Sequence, residues 1–194
     1  VTSSPRLINA LAVSELLAQD HDVIRVGHTQ GDATVDIHDK ASIEVLFAKI
    51  DALVVATGNV AFNSVTQMSD EGWQVGLNSK LMGQINLTRA AIPYLNEKGS
   101  ITLTSGILSD ESINWGTSAS TINGAVEHFV KAAACELPKG LRINVVSPTL
   151  LEESVPKYGV FFPGFVPVPG ATVAQAYKKS VQGVQTGQIF KVFG

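Results

Sequence analysis

The chain has 194 residues, 45% apolar and 16% charged, with 14 Lys plus Arg against 17 Asp plus Glu for a formal net charge of −3. Such a chain reads as one globular domain that buries roughly 70% of its unfolded surface, and it shows no cation cluster of the kind nucleic acid requires. The single cysteine, Cys135, excludes an internal disulfide framework and a multi-cysteine zinc site; with no apolar run near the ~20 residues of a membrane span and no basic-then-apolar leader, a soluble cytoplasmic protein without a membrane partner is expected.

In chain order, the pattern predicts a helix over Ile8–Gln19, a strand over Asp22–Val26, a helix over Ser42–Lys49 and a strand over Ala52–Ala56. A long helix follows over Ser69–Leu95, then a strand over Ser100–Thr104, a helix over Ser118–Leu137, and strands over Leu141–Val146 and Gln188–Phe193. Ala52–Ala56 is continuously apolar, as a strand covered on both faces must be. Short apolar runs alternating with helix-period stretches indicate βαβ units, and so an α/β fold around a parallel sheet.

In Ser118–Leu137, Ala125, Phe129, Ala132 and Ala133 recur at helical spacing, and Pro138-Lys139-Gly140 stops the helix. Its small residues suit close approach of another element, either the sheet or a second subunit, and Cys135 on it is expected to be buried and inert. Across Leu151–Gly170, Pro156, Pro163, Pro167 and Pro169 oppose a long helix. Tyr158, Phe161, Phe162 and Phe165 are too apolar for an idle solvent loop. A loop without regular structure is expected there, favoured as a lid over a small-molecule substrate, with a plug on the sheet edge as the alternative. His21, His38 and His128 lack ligand spacing, so no metal site is expected. Trp73 and Trp115 read as packing residues.

Three segments carry a family resemblance. Asp51-Ala52-Leu53-Val54-Val55-Ala56-Thr57-Gly58 resembles strand 4 and the Asn-Asn-Ala-Gly turn of the short-chain dehydrogenase/reductase family, with only Gly58 of the turn kept. Ser100-Ile101-Thr102-Leu103-Thr104-Ser105 resembles the strand bearing that family's catalytic serine. Leu141-Arg142-Ile143-Asn144-Val145-Val146-Ser147-Pro148 resembles its Arg-Val-Asn-x-Val-x-Pro segment, whose end meets the nicotinamide. The resemblance runs from about Ala10 to the C-terminus. It implies a Rossmann-type, three-layer, doubly wound parallel sheet that binds NADP or NAD across the carboxyl ends of its strands. It also places Thr57, Gly58, Pro148 and Thr149 beside the cofactor, Gly58 because a side chain there would block the approach of backbone to cofactor.

The family's active site is an Asn, Ser, Tyr, Lys set. By resemblance Ser105 takes the serine role and Lys80 the asparagine position, with Asn78 two residues earlier. Aligning Thr117-Ser118-Ala119-Ser120-Thr121 with Tyr-Ser-Ala-Ser-Lys puts Thr117 at the tyrosine and Thr121 at the lysine. Threonine is a poor substitute, because an alcohol ionises far above the phenol value of about 10 and transfers protons inefficiently near neutrality. Lys80 either polarises a carbonyl beside Ser105 or is an ordinary solvated helix lysine.

The front end also departs from the family. Thr2-Ser3-Ser4-Pro5-Arg6-Leu7-Ile8 stands where a Gly-x-x-x-Gly-x-Gly turn is expected, so the usual first strand is expected to be missing or altered, leaving two neighbours with unpaired edges. At the end of strand 2, Val26-Gly27-His28-Thr29-Gln30-Gly31 lacks the acidic residue of NAD-selective members. His28 and Thr29 lean towards NADP over NAD, or form a plain polar turn. Asp36 and Ile37 resemble the family's adenine-contacting pair, with a turn aspartate as the alternative. Two functions remain: an NADP-linked oxidoreductase of small carbonyls or alcohols with a degenerate site, and a non-catalytic dinucleotide-binding sensor or scaffold, or a form that binds no cofactor at all. A homodimer or tetramer through residues 69–95 and 118–137 is expected by resemblance.

Overall fold

Aliphatic and β-branched residues dominate four strands that pair in parallel: β3 (Ile50–Val54), β4 (Leu95–Thr104), β5 (Arg142–Pro148) and β6 (Ile189–Val192), in the order β3-β4-β5-β6. Their register aligns Leu53 with Ile101, Ile101 with Ile143, and Val145 with Ile189. This computed structural model describes residues 5–27, with side chains from Ala10 onward, together with 31–34 and 50–194. The helix expected over Ser42–Lys49 and the candidates His28, Thr29, Asp36 and Ile37 lie outside the described residues.

Two apolar layers sandwich the sheet. On one face, Leu87 and Ala91 of α3 (Gly83–Ala91) and Val126 and Val130 of α4 (Thr117–Ala133) pack on Ile101, Leu103, Ile143 and Val145. On the other, Val13 and Leu17 of α1 (Pro5–Leu17) join Val173, Ala174 and Tyr177 of α6 (Gly170–Gln182) on Val146 and Phe190. Each fully buried aliphatic side chain here contributes about 1.5–3 kcal/mol relative to exposure. The result is the three-layer parallel α/β sandwich that the alternating pattern implies. β1 (Val26–Gly27) and β2 (Ala33–Thr34) pair with each other, and among the described residues no strand joins them to the four-stranded sheet. Asp22–Arg25, expected to be strand, is irregular; pairing begins only at Val26.

Helix α6 falls where sequence reading assigned no element. Val173, Ala174, Tyr177 and Ser180 recur on one buried face. Arg142 donates from its guanidinium to Ser180 O at 2.8 Å and Val181 O at 2.9 Å, satisfying carbonyls of the last turn. The Ser180 and Thr102 hydroxyls meet at 2.6 Å, pinning the helix to β4.

The long helix expected over Ser69–Leu95 forms over residues 70–91 as three contiguous segments. Ser69 caps it by accepting from Gly72 N at 3.1 Å. Then come α2 (Asp70–Gly76), a π-helical segment (Leu77–Met82) and α3, which ends four residues early because β4 begins at Leu95. Lys139 supplies the charge at its C-terminal end, donating to Pro93 O at 3.1 Å and Leu95 O at 3.3 Å. Two further expectations are corrected. Leu151–Gly170 is not structureless: it holds a 3₁₀ turn (Glu152–Ser154), the one-turn α5 (Val155–Tyr158) and a second 3₁₀ turn (Gly159–Phe161). Single turns tolerate proline because their first N–H groups have no intrahelical partner. Cys135, placed just beyond the end of α4, is exposed rather than buried. Among the described residues, no helix is long and apolar enough to cross a membrane.

Candidate functional site at the carboxyl edge of the sheet

The carboxyl ends of β3, β4 and β5 bring the segments carrying Thr57 and Gly58, Ser105, and Pro148 and Thr149 to one edge of the sheet. Side chains alternate across β4, so Leu103 and Ser105 face α4 while Thr104 faces α6. Thr104 Oγ1 donates to Val55 O at 2.6 Å and meets the Tyr177 hydroxyl, also at 2.6 Å. The Tyr177 phenol is thus engaged on the far side of the sheet from the Ser105 side chain.

Ser105 is 3% exposed, and its hydroxyl donates to Glu127 Oε1 at 2.7 Å. The Ser109 hydroxyl donates to the same oxygen at 2.6 Å. One helical turn earlier on α4, Asn123 Nδ2 donates to Gly106 O at 3.2 Å. Lys191 lies on the same side. Its hydrogen bond to Asp110 holds its ammonium above the usual lysine range, with the Glu127 charge adding to the effect.

Lys80 turns inward from the π-helical segment, and its ammonium donates to Ser105 O at 2.9 Å. Gln84 fixes the local backbone by donating to Lys80 O and Thr104 O and accepting from Thr104 N, each at 2.9 Å. A π turn carries its hydrogen bonds one residue further than an α turn and is frequent at functional sites. Gly58 makes this placement possible. Its φ is +130°, and a Cβ there would stand 2.6 Å from Lys80 Cα and 2.7 Å from Lys80 Cβ and Cγ. The close approach that demands glycine is therefore that of the Lys80 stem.

Neither Thr117 nor Thr121 shares the Ser105 side-chain hydrogen bonds described above. Both are exposed, and the Thr121 hydroxyl donates to Thr117 O at 2.9 Å. The buried face of α4 instead carries Ala119, Asn123 and Glu127, four residues apart in succession, and these are what meet the end of β4. At the end of β5, Thr149 Oγ1 is buried with no hydrogen-bond partner. Pro148 is half-buried, whereas Thr57 is exposed.

The aromatic segment divides its residues. Phe162 and Phe165 meet edge to face at 5.3 Å and pack on a satellite cluster of Ile107, Leu108 and Ala119. Phe161 and Phe165 also wall a cavity of about 560 Å³ with Ile113, Trp115, Val160 and Pro163, a lining without a charged side chain. Tyr158 is not in that wall; Lys157 lies 5.2 Å from its ring. Trp115 stands at φ 64° and is 54% exposed, an unfavourable backbone region for a bulky residue. Glu127 and Asn123 escaped sequence reading, although the spacing of Ala119, Ile122, Val126 and Val130 already places both on the buried face.

A parallel sheet between helix layers, with its polar groups gathered at the carboxyl edge, defines the class of dinucleotide-fold proteins. Comparison with known proteins narrows this further. A family model described as enoyl-(acyl carrier protein) reductase matches residues 10–160, and the chain belongs to this short-chain dehydrogenase/reductase family. It is similar to the protein lin1944 from Listeria innocua, with 48% identity, coverage of 95% of this chain and 94% of that one, and a TM-score of 0.93. A small-chain dehydrogenase solved in complex with NADPH shares the fold at 24% identity, with coverage of 95% and 91% and a TM-score of 0.83. The uncharacterized oxidoreductase YhdF of Bacillus subtilis is 28% identical over 163 residues, 76% of this chain and 56% of that protein. The chain spans about half the length of the curated relatives it matches.

Proposed function

We propose that the protein is a nicotinamide-dinucleotide-linked oxidoreductase, with NADP preferred over NAD, that acts on a small carbonyl or alcohol with an apolar body. The contact that carries this reading is Lys80 Nζ to Ser105 O at 2.9 Å, which puts an ammonium beside Ser105 at the carboxyl edge of the sheet. When bound, the dinucleotide supplies the hydride donor or acceptor. The buried, unpartnered Thr149 hydroxyl fits an amide-bearing ligand at that edge, and Thr57 and Pro148 would flank it. The NADPH complex of a protein with the same fold supports the choice of cofactor. The cavity walled by Phe161, Phe165 and Trp115, without a charged side chain, suits an apolar substrate body. In this reading Lys80 polarises the substrate oxygen and Ser105 orients it.

Calorimetric titration with NADPH and NADH, followed by turnover of a carbonyl and alcohol panel, tests the proposal. NADPH is expected to bind more tightly, and Lys80→Met to lower kcat about 10²–10³-fold, the usual loss for one electrostatic donor. Binding of neither dinucleotide, or full turnover in both Ser105→Ala and Lys80→Met, overturns it. A second reading, a dinucleotide-binding sensor without turnover, is favoured by the exposure of Thr117 and Thr121 and by the engagement of Tyr177 away from Ser105. It predicts stabilisation by NADPH without turnover of any panel member. Assembly through residues 69–95 and 118–137 belongs to either reading, and light scattering in solution reports it.

A further inference from the structure

We propose that Glu127 is a positioning residue that commits the Ser105 proton, so that Ser105 meets the substrate as a hydrogen-bond acceptor and the site is built for an alcohol. The inference rests on the oxidoreductase reading and selects one substrate class within it.

A serine hydroxyl has one proton to donate and two lone pairs to accept with. The Ser105 proton is directed to Glu127 Oε1 at 2.7 Å, in a pocket where Ser105 is 3% and Glu127 6% exposed. A carboxylate only accepts, and a charge-assisted hydrogen bond of this kind is about twice as strong as a neutral one. The second donor on the same oxygen, Ser109 at 2.6 Å, fixes that oxygen's position. What Ser105 Oγ retains for a ligand is lone pairs. A ketone oxygen brings only lone pairs and would face them unpaired; an alcohol brings a proton.

The arrangement also accounts for proton movement without a phenol. As the alcohol is oxidised, its O–H proton passes to Ser105 Oγ and the Ser105 proton passes to Glu127. The C–H bond breaks with its electron pair leaving as hydride to the oxidised dinucleotide, and the C–O bond becomes C=O. One proton then rests on Glu127 and two electrons on the dinucleotide, which balances the step. Among the described residues, Lys80 from the π-helical segment brings an ammonium to Ser105 O, and Lys191 from β6, tied to the Asp110 carboxylate, is close enough to feel the Glu127 charge; both ammoniums favour negative charge at this end of β4, and Asp110 opposes it.

Ligand-observed NMR with 1-methylcyclohexanol, a tertiary alcohol with no carbinol C–H to give up, and cyclohexanone, on protein first titrated with NADP⁺, reads the preference as a ratio of dissociation constants. The wild type is expected to bind the alcohol about 10–100-fold more tightly than the ketone, the usual cost of leaving a buried polar atom unpaired. Glu127→Gln should erase or reverse the ratio, because its amide can donate to Ser105 Oγ and release the serine proton for the ketone. It should also lower kcat for alcohol oxidation with KM changed by less than about threefold. If Glu127→Gln does not fold, Ser105→Ala must erase the same preference. A wild type that binds NADP⁺ but shows equal affinity for the two ligands overturns this inference and leaves the oxidoreductase reading standing; so does an unchanged ratio in Glu127→Gln. A wild type that binds no dinucleotide overturns both.

Discussion

Replacing Gly58 by alanine tests the placement of Lys80 directly. The new Cβ would lie 2.6–2.7 Å from Cα, Cβ and Cγ of Lys80, well inside van der Waals contact, at a backbone φ of +130° that side chains rarely adopt. Holding a non-glycine residue in such a region costs about 1–3 kcal/mol, and relieving an overpacked contact costs about another 1–3 kcal/mol. Two of the three clashing atoms are Cα and Cβ, so no rotamer change of Lys80 can absorb the insertion. The helix turn must move instead, taking the ammonium away from Ser105 O. A total of about 2–6 kcal/mol is a large share of the roughly 5–15 kcal/mol that holds a domain together. For a domain of this size it lowers Tm by about 4–24 °C. Thermal and urea unfolding without cofactor measure it. Lys80→Met, which keeps the stem and removes only the ammonium, should lose about 1.5–3 kcal/mol, the usual range for a hydrogen bond with a charged partner. A Tm in Gly58→Ala within about 2 °C of wild type, below the smallest shift expected, would refute the claim that this glycine exists to admit the Lys80 stem.

Two further predictions concern the scaffold. Lys139→Met removes the ammonium that serves Pro93 O and Leu95 O at the end of α3, and should cost about 0.5–1.5 kcal/mol in urea unfolding, with an unchanged slope. Asp20 sits just beyond α1 and accepts from Lys178 of α6 at 2.6 Å, a hydrogen bond that holds its carboxyl below the usual value of 3.8. A lowered carboxyl pKa contributes stability above the unfolded value and loses it as pH falls through the folded one. Asp20→Asn should therefore match wild type more closely as the pH falls below about 4 than at pH 7, and a difference constant across that range in acid unfolding curves would contradict the pairing.

What was legible in the sequence depends on the range of the contacts behind each signal. β3, β4 and β5 were legible in place though not in bounds: Ala52–Val54, Ile101 with Leu103, and Ile143 with Val145 and Val146 carry the apolar signal of covered strands, while the polar starts at Asp51, Asn96–Ser100 and Arg142 hid where pairing begins. Helix α6 was missed although Val173, Ala174, Tyr177 and Val181 have helical spacing; the proline-rich stretch before it masked its start, and Thr172, Gln175, Lys178 and Lys179 dilute its hydrophobicity. Ser105 was singled out only through the resemblance of Ser100–Ser105 to the family's serine-bearing strand. The π turn that aims Lys80, and the use of Gly58 against its stem, were not, since both are set by contacts between segments more than 20 residues apart. Glu127 stood in plain view on the Ala119–Asn123 face, but a lone carboxylate among small residues draws attention only once its serine partners are in place.

The register of α4 decides what a tyrosine and a lysine would do at the positions the resemblance assigns to them. The resemblance assigns Thr117 and Thr121 to the family's tyrosine and lysine positions, and on that assignment the double change Thr117→Tyr with Thr121→Lys would write the motif into the chain. In the structure both side chains are exposed, and the residues presented to the end of β4 are Ala119, Asn123 and Glu127. Two positions along an α-helix is a rotation of roughly 200°, nearly the opposite side. A tyrosine at 117 would therefore extend from the outward side, and a general acid gives its roughly 10²–10⁴-fold only within hydrogen-bond reach of the proton it moves. On the proposed oxidoreductase function, turnover in the double variant should stay within about twofold of the parent for every alcohol and carbonyl tested, with any NADPH affinity unaltered. A tenfold gain would mean that α4 presents Thr117 and Thr121 to the substrate, and the roles of Ser105 and Glu127 would have to pass to them.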